Sequence, residues 1–230
     1  MKLKFKSIVI FTFCICVAVN VHAGNGNFVN VKALLVSLDP VVNQAVIVTQ
    51  PLFPGFAAKV EGWDKANGQW QMVMDPMDAV VGRNGLAPVN EKKEGDGRTP
   101  SGIFKVYRAF GYKKDADKKL EYKQVTETDF WVDDTSSLDY NQWVHKIAEG
   151  TRSFERLKRD DDLYEYAAVI EYNTDPVVSG NGSAIFLHVW RSPDQPTSGC
   201  VALSRENILR ILKWLDRSQK PVVVIINGSH

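Results

Sequence analysis

Ala184-Ile185-Phe186-Leu187-His188-Val189-Trp190-Arg191, then Ser192-Pro193-Asp194-Gln195-Pro196, then Thr197-Ser198-Gly199-Cys200, is the stretch on which the reading of this chain turns. Its first eight residues predict a strand, and period-2 alternation puts Phe186, His188 and Trp190 on one face, Ile185, Leu187 and Val189 on the other. The Pro/Asp-rich piece predicts a loop, and Cys200 follows the turn residue Gly199. Just beyond, Ser204 is a candidate N-cap with Glu206 in the first turn of a helix predicted over Ser204 to Ser218. Ile208, Leu209, Ile211, Leu212 and Leu215 give that helix one apolar face, and Pro221 stops it.

Further out, runs rich in β-branched and aromatic residues recur between turn residues. They are Phe28 to Leu38, Ala45 to Thr49, Gly55 to Glu61, Trp70 to Val73, Gly102 to Tyr107, Ala167 to Tyr172 and Val222 to Ile226. Short strands at this frequency predict a mostly β domain, sandwich- or barrel-like, with a few peripheral helices, one of them after Cys200. A weaker helix is expected over Tyr140 to Ile147 or Thr151 to Lys158. The polar connections Val89 to Arg98 and Lys113 to Glu127 are expected as loops that shape a cleft.

A strand-borne histidine twelve residues before a cysteine suits nucleophilic chemistry. A free thiol has a pKa near ~8.5; an imidazole beside it takes the proton and gives a thiolate–imidazolium pair. The backbone N–H groups around Gly199 and Cys200 are candidate oxyanion donors, and the carbonyl of Val189 is a candidate for orienting the ring. On spacing alone, a structural histidine and an inert buried thiol are equally good readings. His145, His188 and His230 with one cysteine do not make the paired spacings of a zinc site, so no metal is expected. Asp133 and Asp134, adjacent on a strand, point opposite ways and do not make a catalytic carboxylate pair. Trp190 is expected in a cleft wall and His145 at the surface.

The N-terminus bears on the compartment. Lys2, Lys4 and Lys6 precede an apolar run from Ile8 to Val19, and Val21-His22-Ala23 suits a signal peptidase, so residues 1–23 read as a cleaved signal peptide. The run is shorter than the ~20 residues of a spanning helix, so no stable membrane span is expected once it is removed. Removal leaves 207 residues, takes three lysines from a formal charge of +1 to −2, and leaves Cys200 as the one mature thiol, since Cys14 and Cys16 lie in the signal. That balance argues against a nucleic-acid binder, which needs a cationic surplus to neutralise phosphates. Residues 24–40 are then an N-terminal lead-in and 41–230 one domain.

Strand–His, loop and Thr-Ser-Gly-Cys near the C-terminus resemble the catalytic motif of the L,D-transpeptidases, the YkuD-type domain of bacterial cell-wall enzymes. A second block resembles the same family: Val81-Gly82-Arg83-Asn84-Gly85-Leu86, then Glu94-Gly95-Asp96-Gly97-Arg98-Thr99-Pro100-Ser101-Gly102-Ile103-Phe104. The resemblance implies a cofactor-free, exported, periplasmic or envelope-associated enzyme acting on peptidoglycan stem peptides. Cys200 attacks after the L-centre of diaminopimelate and expels D-alanine, with His188 as base, Val189 and Gly199 supporting the pair. Arg83, Asn84, Arg98, Trp190 and Ser198 are its candidate substrate contacts. The acyl group passes to an amine of a D-amino acid or a protein, or to water, which makes the enzyme an L,D-carboxypeptidase. A non-catalytic cell-wall binding module is the reading outside enzymes. The chain departs from many relatives at Ala202, where Arg or Asn is common, and at Val189, where Gly is common.

Overall fold

The computed structural model describes residues 30–51, 55–114 and 119–228. The expected signal peptide, with residues 24–29 of the lead-in, lies outside the described residues. The chain enters through helix α1 (Val31–Val36), followed by strands β1 (Gln44–Gln50), β2 (Ala57–Ala66) and β3 (Gln69–Val80). Short strands come next: β4 (Leu86–Ala87), β5 (Thr99–Pro100), β6 (Gly102–Lys105), β7 (Arg108–Gly111), β8 (Glu121–Gln124) and β9 (Phe130–Val132). Then come β10 (Trp143–Val144), β11 (Phe154–Arg156), β12 (Tyr166–Val169), β13 (Phe186–Val189) and β14 (Val201–Leu203), and finally α2 (Arg205–Trp214) and β15 (Val222–Asn227). The domain is mostly β, as the turn-separated apolar runs predict.

Ten of these strands form one sheet in the order β6-β15-β1-β2-β3-β14-β13-β12-β7-β8. The first and last strands lie side by side, β1 parallel to β15, with Ala45 opposite Val222 and Thr49 opposite Ile226. Both faces of β1 are covered, which explains its unbroken apolar run. Val46 and Val48 point into the main core with Ile208, Ile211 and Leu212 of α2. Ala45 and Ile47 point the other way, onto Leu35 of α1 and Leu38 just beyond it. No helix among the described residues is long and apolar enough to cross a membrane.

Three local expectations are corrected. The run ending at Leu38 is not a strand over its described part: Asn30 Oδ1 accepts the Ala33 N–H at 3.1 Å, capping helix α1. Neither weaker helix forms. Trp143 pairs with Trp131 and Phe154 with Val132, so both segments become strands flanking β9. Trp143 and Phe154 are cross-strand partners of Trp131 and Val132 on β9. Helix α2 is shorter than its periodicity allows, because Gln44 of β1 takes over its end: Nε2 donates to the Trp214 carbonyl at 3.2 Å and Oε1 accepts the Asp216 N–H at 2.7 Å.

Candidate active site

Strands β13 and β14 run parallel, with Leu187 opposite Val201 and His188 opposite Ala202. Cys200 stands one residue before β14, beside Phe186, whose N–H donates to Cys200 Sγ at 3.3 Å. Neighbours in a parallel pair share a face, and parity then puts Cys200 and His188 on one side of the sheet, two residues or ~7 Å apart along the strands. Both are buried, 8% and 6% exposed, yet both line a cavity of about 370 Å³ together with Tyr164, Arg159, Trp190 and Ala202. The thiol donates to the Ala184 carbonyl at 3.3 Å.

The backbone at Cys200 is held from both sides. The hydroxyls of Thr99 and Thr197 donate to its carbonyl, at 3.2 and 2.7 Å. Thr99 Oγ1 also accepts the Gly82 N–H at 2.9 Å, which ties the Gly-rich block to the cysteine. A side chain at Gly82 has no room, since its Cβ falls 2.4 Å from the Gly97 carbonyl oxygen. Gly199 does not supply a free oxyanion donor: its N–H donates to Thr197 Oγ1 at 3.1 Å.

His188 Nδ1 lies 2.7 Å from the Val189 carbonyl oxygen. A carbonyl only accepts, so Nδ1 carries the proton and Nε2 is left as the basic nitrogen. Tyr164 packs edge-on against the imidazole, centroids 5.2 Å apart, and its hydroxyl donates to Glu155 Oε2. Burial pushes the His188 pKa down to about 4, against the pull of the Val189 and Leu163 carbonyls. Burial likewise pushes the Cys200 thiol up to about 12; the charge of Glu155 adds to the rise, while the Phe186 N–H, Lys92 and Arg159 oppose it. Both shifts favour the neutral imidazole and thiol over a standing thiolate–imidazolium pair, because desolvation disfavours each charge.

On the other side of Cys200 lies a second cavity of about 260 Å³, walled by Arg83, Lys92, Glu94, Asp133, Ser183 and Gly199. Its rim is the loop expected to shape a cleft. Asp96 braces that loop, Oδ1 accepting from Lys92 Nζ and the Arg98 N–H at 2.8 Å each and Oδ2 from the Lys93 N–H at 2.8 Å. Of the expected substrate contacts, Arg83 and Ser198 line this cavity and Trp190 the first; Ser198 lines both. Asn84 and Arg98 line neither, and Asn84 Nδ2 is spent on the Asp96 carbonyl at 2.7 Å. Asp133 faces the second cavity, whereas Asp134 turns away to accept from Ser136 and the Arg152 N–H. His145 is exposed and rests on Asp129 at 3.0 Å.

The sequence motifs miss Tyr164, Glu155 and Arg159. Glu155 lines both cavities and Arg159 the first, but they reach Cys200 only because β11 pairs with β9, a long-range register with no local signature. Among the described residues no three His, Cys, Asp or Glu side chains converge in a metal-binding group.

No curated protein sequence matches the chain at a significant level. Among solved structures, it resembles the helical cell shape determining protein Pgp2 from Campylobacter jejuni at 15% identity and a TM-score of 0.43. That match covers 86% of this chain, which spans 56% of the Pgp2 chain. The YkuD family, the L,D-transpeptidase catalytic domain, matches residues 55–224, a span that takes in the Gly-rich block, β13, Cys200 and α2. By that match the chain belongs to the YkuD family of L,D-transpeptidase catalytic domains.

Proposed function

We propose that this protein is an exported cysteine acyltransferase that performs L,D-transpeptidation on peptidoglycan stem peptides through a thioester at Cys200. The observation that carries the reading is the placement of Cys200 and His188 on one face of adjacent parallel strands, opening into one cavity. The Val189 carbonyl directs the unprotonated Nε2 of His188 to act as base. Because the resting thiol is neutral, its proton moves to His188 as sulfur attacks the carbonyl, not before. The imidazolium then protonates the leaving amine. The Cys200 N–H is the remaining backbone donor for the oxyanion, since that of Gly199 is engaged. Family membership supports the substrate class, and the signal-like N-terminus supports export to the envelope.

Incubation of the protein with purified tetrapeptide muropeptides, read by mass, tests the reading. Wild type is expected to release D-alanine and Cys200→Ala to release none; unchanged release by Cys200→Ala rejects the proposal. The same spectra separate cross-linking to an amine from trimming by water, and a protein that binds muropeptides without altering them is a binding module.

A further inference from the structure

The cavity beside His188 holds more guanidinium charge than its structural partner neutralises. Arg159 and Arg191 both line it and both lean on one carboxylate, that of Asp161. Arg159 spends only one edge on that contact, Nε to Oδ1 at 2.8 Å and Nη2 to Oδ2 at 2.9 Å. Arg191 Nη2 stands 3.5 Å from the same Oδ2, an ion pair without hydrogen-bonding distance to spare, and its side chain is 61% exposed. Among the described residues Arg159 Nη1 and the Arg191 guanidinium donate no hydrogen bond. Glu155, a further carboxyl on the cavity wall, is occupied by the Tyr164 hydroxyl, and burial raises its pKa, which disfavours its charge.

Arg159 is also fixed in place, its guanidinium 5.2 Å from the centre of the Tyr164 ring that packs on His188. Opposite His188 on β14 stands Ala202, which lines the same cavity and brings neither charge nor bulk. Space and unspent positive charge therefore coincide next to the base. A guanidinium edge with free N–H groups matches a carboxylate, two parallel hydrogen bonds at once.

We propose that Arg159 and Arg191 form a subsite for a free carboxylate, that of the C-terminal residue which departs when Cys200 attacks the peptide bond before it. The inference rests on the acyl-transfer reading above. In the step, the Cys200 sulfur bonds to the carbonyl carbon and the C–N bond breaks with its electron pair going to nitrogen. That nitrogen takes the thiol proton by way of His188, and the carboxylate leaves unchanged with the amine. Its carboxylate carbon lies two bonds from the leaving nitrogen, so a subsite must sit close to the base, as Arg159 does. The enzyme is thereby confined to the last residue of a peptide.

The test compares two stem tetrapeptides that differ only in ending as an acid or as an amide. Wild type is expected to favour the acid in kcat/KM by about tenfold or more, the worth of a charge-assisted hydrogen bond. Arg159→Gln and Arg191→Gln are expected to lose most of that preference by raising KM for the acid, with KM for the amide unchanged. Equal use of acid and amide by wild type overturns the subsite while leaving acyl transfer standing. If wild type turns over neither peptide, the acyl-transfer reading is what failed, and alkylation decides the subsite. The iodoacetate-to-iodoacetamide rate ratio at Cys200 is then expected to fall about tenfold in Arg159→Gln/Arg191→Gln. An unchanged ratio overturns it.

Discussion

At neutral pH the imidazole of His188 is unprotonated in the folded protein, because burial holds its pKa at about 4. In the unfolded chain the same ring takes up a proton below ~6.5. Between those values the unfolded state binds more protons, so stability contributed by His188 is complete above pH ~6.5 and falls as the pH drops towards 4. The shift is worth on the order of 3 kcal/mol across the whole window. His188→Gln, with no titrating group, is expected to flatten this part of the profile. Urea unfolding at pH 7 and pH 4.5 checks it: the loss between the two is expected to be about 2–3 kcal/mol smaller in the variant, and equal losses contradict the burial account. Cys200 works in the opposite range, since its raised pKa costs the folded state stability only as the thiol of the unfolded chain ionises at alkaline pH. That Cys200 and His188 stand at one cavity was legible from type and spacing, as was the Val189 carbonyl against the ring. Their neutral state was not, because desolvation depends on what the rest of the chain packs around them.

Among the elements, the loop from Gly82 to Thr99 does more than line a cavity. Thr99, fully buried on β5, accepts from Gly82 and donates to the Cys200 carbonyl, so one hydroxyl joins the Gly-rich block to Cys200. Thr99→Val keeps the shape and leaves the Gly82 N–H without its partner, a cost of about 1–3 kcal/mol. It is expected to lower kcat more than it raises KM, because the backbone that aims Cys200 is loosened; steady-state kinetics together with a urea midpoint check both effects. At the far side, Ser204→Ala removes the N-cap that accepts the Asn207 N–H at 3.3 Å, and is expected to cost about 1 kcal/mol of stability with kcat unchanged. Helix α2 was legible because its cap, charge and apolar period agree. The segments around Trp143 and Phe154 were not, since their partner strand β9 decides their conformation and no nearby residue announces it.

For the molecule as a whole, the defining contact is β1 against β15, more than 170 residues apart in the chain and matched over six residue pairs. β15 also pairs with β6 on its other edge, from Val222 opposite Lys105 to Ile225 opposite Gly102. Ending the chain before Val222 exposes two strand edges and removes Val223 and Ile225 from the main core. Such a truncation is expected to lose cooperative unfolding, read by the disappearance of the near-UV circular dichroism signal. The mostly β class was legible from the turn-separated apolar runs. The strand order was not, because parallel pairing of the chain's two ends is set by the closure of the whole core. The pairing of β11 with β9 likewise places Glu155 on the walls of both cavities that Cys200 lines, a feature of the site that no motif carries.

The most direct test of a Cys200 nucleophile is the mass of the protein quenched in acid within its first turnovers on a stem tetrapeptide. The account predicts an adduct equal to the peptide less D-alanine, carried on the fragment containing Cys200 and absent from Cys200→Ala. Release of D-alanine at equal rates by both proteins, with no adduct on wild type, contradicts it.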